Sequence, residues 1–212
     1  MTYYFFKRIF DIMVSVTGLI FLAPLVGAIG FAIKVTSRGP IFYRGRRAGL
    51  NGVPFDILKF RTMVIDAEKN GGFSTALRDP RVTTVGRFLR RWKLDEIPQF
   101  YNVLRGQMSL VGPRPQVFFY TDQYKGDQLL MLSVRPGITD LASLHFADMD
   151  SILGEGDVDE KYALEIEPVK NEMRIRYVRE ASFMLDLRIL IETAFRVIGV
   201  RRVSHFSRDS RV

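Results

Sequence analysis

Asp95 and Glu96 stand side by side in "RRWKLDEIPQFYNVLRG", residues 90–106, directly after Arg90, Arg91 and Lys93. If the pair opens a helix, the helix dipole favours its ionised form by about 0.3–1 kcal/mol, and the neighbouring cations act in the same sense. An ionised carboxylate is what a nucleophile or a metal ligand requires. A general acid needs the opposite, a raised pKa. Glycosidase-type chemistry fits poorly, because it needs two carboxyls facing each other across a bond at roughly 5–9.5 Å, and neighbours at a helix start diverge. In isolation the pair is better explained by helix capping and ion pairing with nearby arginines, because capping acids are common.

The surroundings point toward an anion. Lys59 and Arg61 in "LKFRTM", Arg90, Arg114 in "VGPRP" and Arg135 in "RPG" lie on or beside short, turn-rich segments. Arginine matches phosphate oxygens bidentately, and backbone amides in Gly/Pro turns add donors. Residues 1–115 carry 18 Lys+Arg against 7 Asp+Glu, whereas residues 116–212 carry 13 against 16. A basic front half implies an anionic partner: nucleic acid, lipid headgroups or phosphorylated small molecules. The absence of cysteine excludes disulfides and thiolate-bound metals. His145 and His205, the only imidazoles, form no metal-spaced pair.

The elements that must position these residues begin with an uncharged run of 22 residues, 12–33, "IMVSVTGLIFLAPLVGAIGFAI". It meets the roughly 20 residues needed to cross a bilayer core. Pro24 lies at its centre, where it removes a backbone donor and clashes with the preceding turn. Basic residues flank both ends, with Lys7 and Arg8 before and Lys34, Arg38, Arg44, Arg46 and Arg47 after. Basic flanks stay cytoplasmic, so the pattern predicts a helix broken at Pro24 that enters and leaves on one face. A straight kinked span and a buried soluble helix are the alternatives. A cleaved signal peptide fits poorly, because the run is too long and a basic cluster follows it.

Beyond it, "IFYRGRRAGLNGVPFDILKFRTM" reads as a β-hairpin turning at Asn51-Gly52. Residues 66–82 have no period and read as a mobile loop. A helix capped by Thr84 is expected to run to about Lys93, and a second from Asp95 or Glu96 to before Gly106. "SLVGPRPQ" and "RPGITD" read as turns, the first followed by an aromatic helical stretch. Residues 148–167 hold eight acids and a single lysine, a solvated face and loop. Residues 182–199 form an apolar helix for the core or the membrane interface. The expected fold is α+β and mainly helical. It has a membrane anchor at 1–37, a cytoplasmic-face domain with a small hairpin at 38–200, and a tail at 201–212.

"KFRTM", "LDEIPQFYNVLRGQMSLVGPRP", "VRPGIT" and "SFMLDLRI", in that order after an apolar segment, resemble the bacterial sugar transferases known as monotopic phosphoglycosyl transferases. The resemblance covers about residues 5 to 200. It implies transfer of a sugar-1-phosphate from a UDP-sugar to a polyprenyl (undecaprenyl) phosphate at the cytoplasmic face of the bacterial inner membrane, with release of UMP. On that resemblance Asp95 is the nucleophile that forms an aspartyl-phosphosugar, and Glu96 helps hold Mg²⁺. Arg114 holds the transferred phosphoryl group, while Lys59, Arg90 and Arg135 neutralise the diphosphate and position the nucleotide. Pro24 matches the break of a re-entrant, monotopic membrane helix. The implied partners are UDP-sugar, polyprenyl phosphate and membrane lipids, without nucleic acid; self-association is left open.

Three departures stand out. Ala23 replaces a serine common before the proline. "ITDLASLHFADMD" replaces a Gly-Trp-Ala-Gln-like stretch that bears on the sugar pocket. The additional spans of larger members are absent, so the chain reads as a minimal catalytic unit. The rival readings are a membrane-anchored basic nucleic-acid-binding protein and a non-catalytic scaffold. Neither gives a role to Asp95 and Glu96.

Overall fold

The computed structural model describes residues 2–67, 79–146, 164 and 166–199. Helix α1, Thr2–Thr36, extends roughly 50 Å at 1.5 Å per residue. The Thr36 and Ser37 hydroxyls close it by donating to the Ala32 and Ile33 carbonyls. The helix continues through Pro24, so the expected division into helix, break and helix is corrected to one element. Proline removes a single ladder donor, and a long helix can absorb that by bending rather than ending.

The burial of α1 is inverted. Lys7, Asp11 and Ser15, spaced by four on one face, are buried, while Phe5, Phe6, Met13, Ile20, Phe21 and Phe31 are exposed. Only 11% of its most apolar stretch is buried. Lys7 and Asp11 of this stripe are taken up by distant parts of the chain. Asp11 accepts from Ser109 Oγ at 2.7 Å, and Lys7 Nζ donates to Asp186 at 2.6 Å.

Strands β1 (Phe42–Ala48) and β2 (Pro54–Phe60) form the expected antiparallel hairpin, with Phe42 opposite Phe60 and Tyr43 opposite Lys59. Asn51 (φ 55°) and Gly52 (φ 73°) take the left-handed conformations of its turn. Helix α2, Thr84–Arg91, is capped by Thr83, whose hydroxyl accepts from Gly86 N, one residue before the cap expected at Thr84. A 3₁₀ turn, Leu94–Glu96, precedes α3, Gln99–Leu104. The acid pair therefore lies in that turn, and Pro98 stands at the N-cap of the α-helix.

The two segments read as turns hold short strands. β3 (Ser109–Val111) runs parallel to β4 (Gly137–Thr139), pairing Ser109 with Gly137 and Val111 with Thr139. Three residues are too few to display a period of two, which is why the pattern read as turn. Helix α4 (Phe118–Thr121) supplies the aromatic stretch, and α5 (Leu141–His145) follows β4 directly. Helices α6 (Glu167–Glu180) and α7 (Phe183–Val197) complete the described chain; α7 lies within the apolar helix expected over 182–199, and the Ser182 hydroxyl caps it by accepting from Leu185 N. Nearly all of the 66–82 loop's Gly-rich centre, the acidic stretch before Glu167 and the tail 201–212 lie outside the described residues.

Two apolar clusters hold these elements. One joins Phe55, Ile57, Val103, Leu110, Tyr177 and Ile189. The other joins Ile29 and Ile33 of α1 to Phe60, Leu89 and Ile97. Phe100 of α3 packs against both, and its ring lies 3.4 Å from where a Cβ on Gly18 would sit. The beginning, middle and end of α1 are thus all seated on the same body.

Candidate active site

Lys93 adopts a left-handed conformation (φ 55°) between α2 and the 3₁₀ turn. This is a sparsely populated state for a residue with a Cβ. Beyond this corner Asp95 and Glu96 turn inward. Asp95 is 7% exposed.

Glu96 sits between two cations. Lys59 Nζ donates to its Oε1 at 2.9 Å, and the Arg114 guanidinium grips the same carboxylate through both terminal nitrogens. Lys59 comes from β2 and Arg114 from the turn after β3, so three distant segments meet at one carboxylate. Burial alone would raise the Glu96 pKa, but Arg114 and Lys59 outweigh it and hold the group well below the usual carboxylate range. Asp95 goes the other way. Burial pushes its pKa up, Lys59 opposes the rise, and the Glu96 charge adds to it. The sequence reading expected a bias toward ionisation at Asp95; in the fold, burial acts in the opposite direction, and Lys59 works against it. Lys59 is in turn pushed down by burial and by Arg114, with Glu96 opposing.

Asn102 braces this geometry. Its side chain accepts from Leu58 N at 2.9 Å and donates to the Asp56 carbonyl at 2.8 Å, clamping the open edge of β2 to α3. Lys59 is thereby held over the acid pair. An amide on the buried face of an apolar helix was the sequence signal for such a clamp, and sequence reasoning passed over it.

The other basic residues divide. Arg90 stands close enough to favour ionisation of Asp95, and its Nε donates to Thr62 Oγ1 at 2.9 Å. Arg61 is not a phosphate ligand in this arrangement; it donates to the Arg38 carbonyl at 2.6 Å and to Ser37, closing the end of α1. Arg135 is not brought to the carboxylates either. Its Nε donates to the Gly106 carbonyl at 2.9 Å, and it lines a separate cavity of about 180 Å³ with Arg8, Lys7, Asp11 and Tyr4.

Among the described residues no group of three acids or imidazoles forms a ready metal cage. Asp95 and Glu96 nonetheless offer oxygen donors from consecutive residues. That donor set fits Mg²⁺, which is commonly held by one or two carboxylates together with substrate phosphates.

The profile of the family described as "Bacterial sugar transferase" matches residues 2–200. The chain belongs to this family. A Klebsiella pneumoniae relative, "UDP-glucose:undecaprenyl-phosphate glucose-1-phosphate transferase", is 41% identical over 194 residues, covering 90% of this chain and 40% of that protein. An Aeromonas hydrophila "UDP-N-acetylgalactosamine-undecaprenyl-phosphate N-acetylgalactosaminephosphotransferase" is 34% identical over 197 residues, 90% of this chain and 43% of its own length. A Caulobacter vibrioides transferase with the same name as the Klebsiella protein is 36% identical over 190 residues, covering 88% and 67%. The chain thus spans about two fifths of the length of the first two relatives.

Proposed function

We propose that this sugar-transferase family member moves a sugar-1-phosphate from a UDP-sugar to undecaprenyl phosphate in two displacements at Asp95. The observation that carries the reading is the contrast at the acid pair. Glu96 is pinned by Lys59 and Arg114, whereas the buried Asp95, among the described residues, feels its cationic neighbours through space. A clamped carboxylate organises the site, and an unclamped one is left to react.

In the first displacement an Asp95 carboxylate oxygen attacks the sugar-side phosphorus, in line with the departing oxygen. The bond from that phosphorus to the bridging oxygen breaks, and UMP leaves with the electron pair. In the second, a phosphate oxygen of the lipid attacks the same phosphorus and returns the electron pair to Asp95. Arg114 and Lys59 place positive charge where the equatorial phosphoryl oxygens would lie, and Arg90 extends that field. Mg²⁺ held by Asp95 and Glu96 would, when bound, neutralise the diphosphate. The nucleic-acid and scaffold readings give this cluster no task.

The same reading places the protein monotopically on the cytoplasmic face of the bacterial inner membrane, with the exposed apolar face of α1 in lipid. The inverted burial of α1 supports it, since a helix that hides its charges and exposes its phenylalanines is matched to an apolar solvent.

The test withholds the lipid. Wild type with a turned-over UDP-sugar should release about one UMP per active site and gain the mass of one phosphosugar, as ping-pong chemistry requires. Peptide mapping should place that mass on Asp95, and hydroxylamine should remove it. Asp95→Asn should form no adduct while remaining folded. An adduct on Asp95→Asn, or no UMP from wild type until lipid is added, overturns the covalent route. Screening UDP-glucose against UDP-N-acetylhexosamines identifies the sugar.

A further inference from the structure

We infer that Asp140, held by Arg174, is the positioning residue for Arg114 and through it for Glu96. The catalytic part of this inference rests on the proposed transferase reading; its structural part does not.

Arg114 lies between Pro113 and Pro115, neither of which has an N–H. Its own amide is therefore the sole backbone donor of that three-residue segment. It donates to Asp140 Oδ2 at 3.0 Å. Asp140 is completely buried, and its other oxygen accepts from Ser143 N at 2.6 Å, capping α5. A buried carboxylate in this place needs a compensating charge. Arg174, 2% exposed, supplies it through Nε at 3.2 Å to Oδ2. Arg174 is itself fixed on α6, where Asn171 accepts from it at 3.1 Å and Glu167 at 3.4 Å.

The backbone around Arg114 is pressed from the other side as well. A Cβ on Gly137 would lie 2.1 Å from Gly112 N, so the "VGPRP" and "RPGIT" segments touch backbone to backbone. Asp140 is thus the carboxylate that links Arg174 to Arg114 in a relay that runs Arg174, Asp140, Arg114, Glu96, Lys59. It uses Asp140 from the "ITDLAS" stretch that follows the "RPG" turn. Asparagine there would present an amide N–H toward one of three donors and so loosen at least one of them.

Two measurements on the full-length, membrane-reconstituted protein test this. The first is amide hydrogen exchange at Arg114. In Asp140→Asn, protection there should fall about tenfold or more, as expected for losing a hydrogen bond to a charged group, while β3 stays protected. Unchanged protection at Arg114 overturns the inference. Should Asp140→Asn not fold, Arg174→Lys is measured instead, with the same loss expected because lysine cannot reproduce the fork geometry; full protection there overturns the role of Arg174. The second is a double-mutant cycle on single-turnover UMP release with Arg114→Lys. Asp140→Asn should slow wild type about tenfold to a hundredfold with little change in UDP-sugar KM, yet add little to Arg114→Lys. Equal effects in both backgrounds mean that Asp140 acts on general stability and sink the positioning role. If wild type releases no UMP from any UDP-sugar, the transferase reading fails, and the exchange measurement still decides whether Asp140 holds Arg114.

Discussion

Two adjacent carboxylates acquire opposite proton affinities because one is clamped by cations and the other is only buried near them. The Asp95 pKa is raised from its ordinary 3.8, chiefly by desolvation. For a nucleophile the consequence is an acid limb: kcat/KM for UMP release should rise with pH through an apparent value above 3.8, reporting ionisation in the free enzyme. The neighbours set the direction of change. Lys59 lowers the Asp95 pKa and Glu96 raises it, so Lys59→Met should move the limb upward and Glu96→Gln downward. Both variants will be slow, and single-turnover measurements suffice. Loss of fold would not produce shifts of opposite sign, and shifts of the same sign would refute the electrostatic assignment. On stability the signs are also opposed. The depressed Glu96 contributes stability that is present above its unfolded value of 4.5 and is lost as pH falls through its folded value. The raised Asp95 instead costs stability as pH rises through its folded value.

At the scale of elements, the site depends on two close approaches. α2 lies directly on the chain after β2: a Cβ on Gly86 would meet the Thr62 carbonyl at 2.0 Å. Alanine is the better helix former by about 1 kcal/mol, yet forcing a methyl into a packed backbone contact costs about 1–3 kcal/mol. Gly86→Ala should therefore lower the melting temperature by several degrees, and an unchanged or higher value would mean that α2 does not rest there. The second approach is the Asn102 clamp. Asn102→Ala removes the partner of the part-buried Leu58 N–H and Asp56 carbonyl, at about 1 kcal/mol for each lost hydrogen bond. It should reduce stability and, by freeing β2, reduce kcat/KM as well; stability loss with full activity would separate the clamp from Lys59. The hairpin was legible because Asn-Gly flanked by strand-forming residues is a local signal, and the 182–199 helix because its apolar run is local too. The acid pair and its Lys59 and Arg114 partners were legible as a motif string. The β3–β4 pairing, the Asn102 clamp and the Asp140–Arg174 support were not, because each is a contact between segments that carry no periodic trace of one another. The contacts that Arg135 and Arg61 make with Gly106, Ser37 and Arg38 were not legible for a related reason: a basic residue in a turn serves backbone carbonyls as readily as phosphate.

For the whole molecule the decisive feature is where α1 is held. A helix of roughly 50 Å exceeds the roughly 30 Å hydrocarbon core of a bilayer, so length alone permits a span. Its attachments argue otherwise. Near the beginning, Lys7 pairs with the buried Asp186, and Asp11 accepts from Ser109. Near the end, Ile29 and Ile33 pack with Phe60 and Leu89, and Arg61 grips Ser37 and Arg38. Putting the two ends on opposite sides of a membrane would tear one set away, and breaking a buried ion pair such as Lys7–Asp186 costs about 3–5 kcal/mol. The absence of native cysteine makes the test direct. Single cysteines at Thr2→Cys and Arg38→Cys, in sealed inner-membrane vesicles, should both react with an impermeant maleimide from the cytoplasmic side only. Because the helix already continues through Pro24, Pro24→Ala alone should leave both labels on that side. Combining it with Asp186→Asn and Asp11→Asn removes the anchors at the beginning of the helix and should expose residue 2 to the outer side in a measurable fraction. A residue-2 label that reacts solely from outside in the wild-type background would replace the one-sided arrangement with a spanning helix.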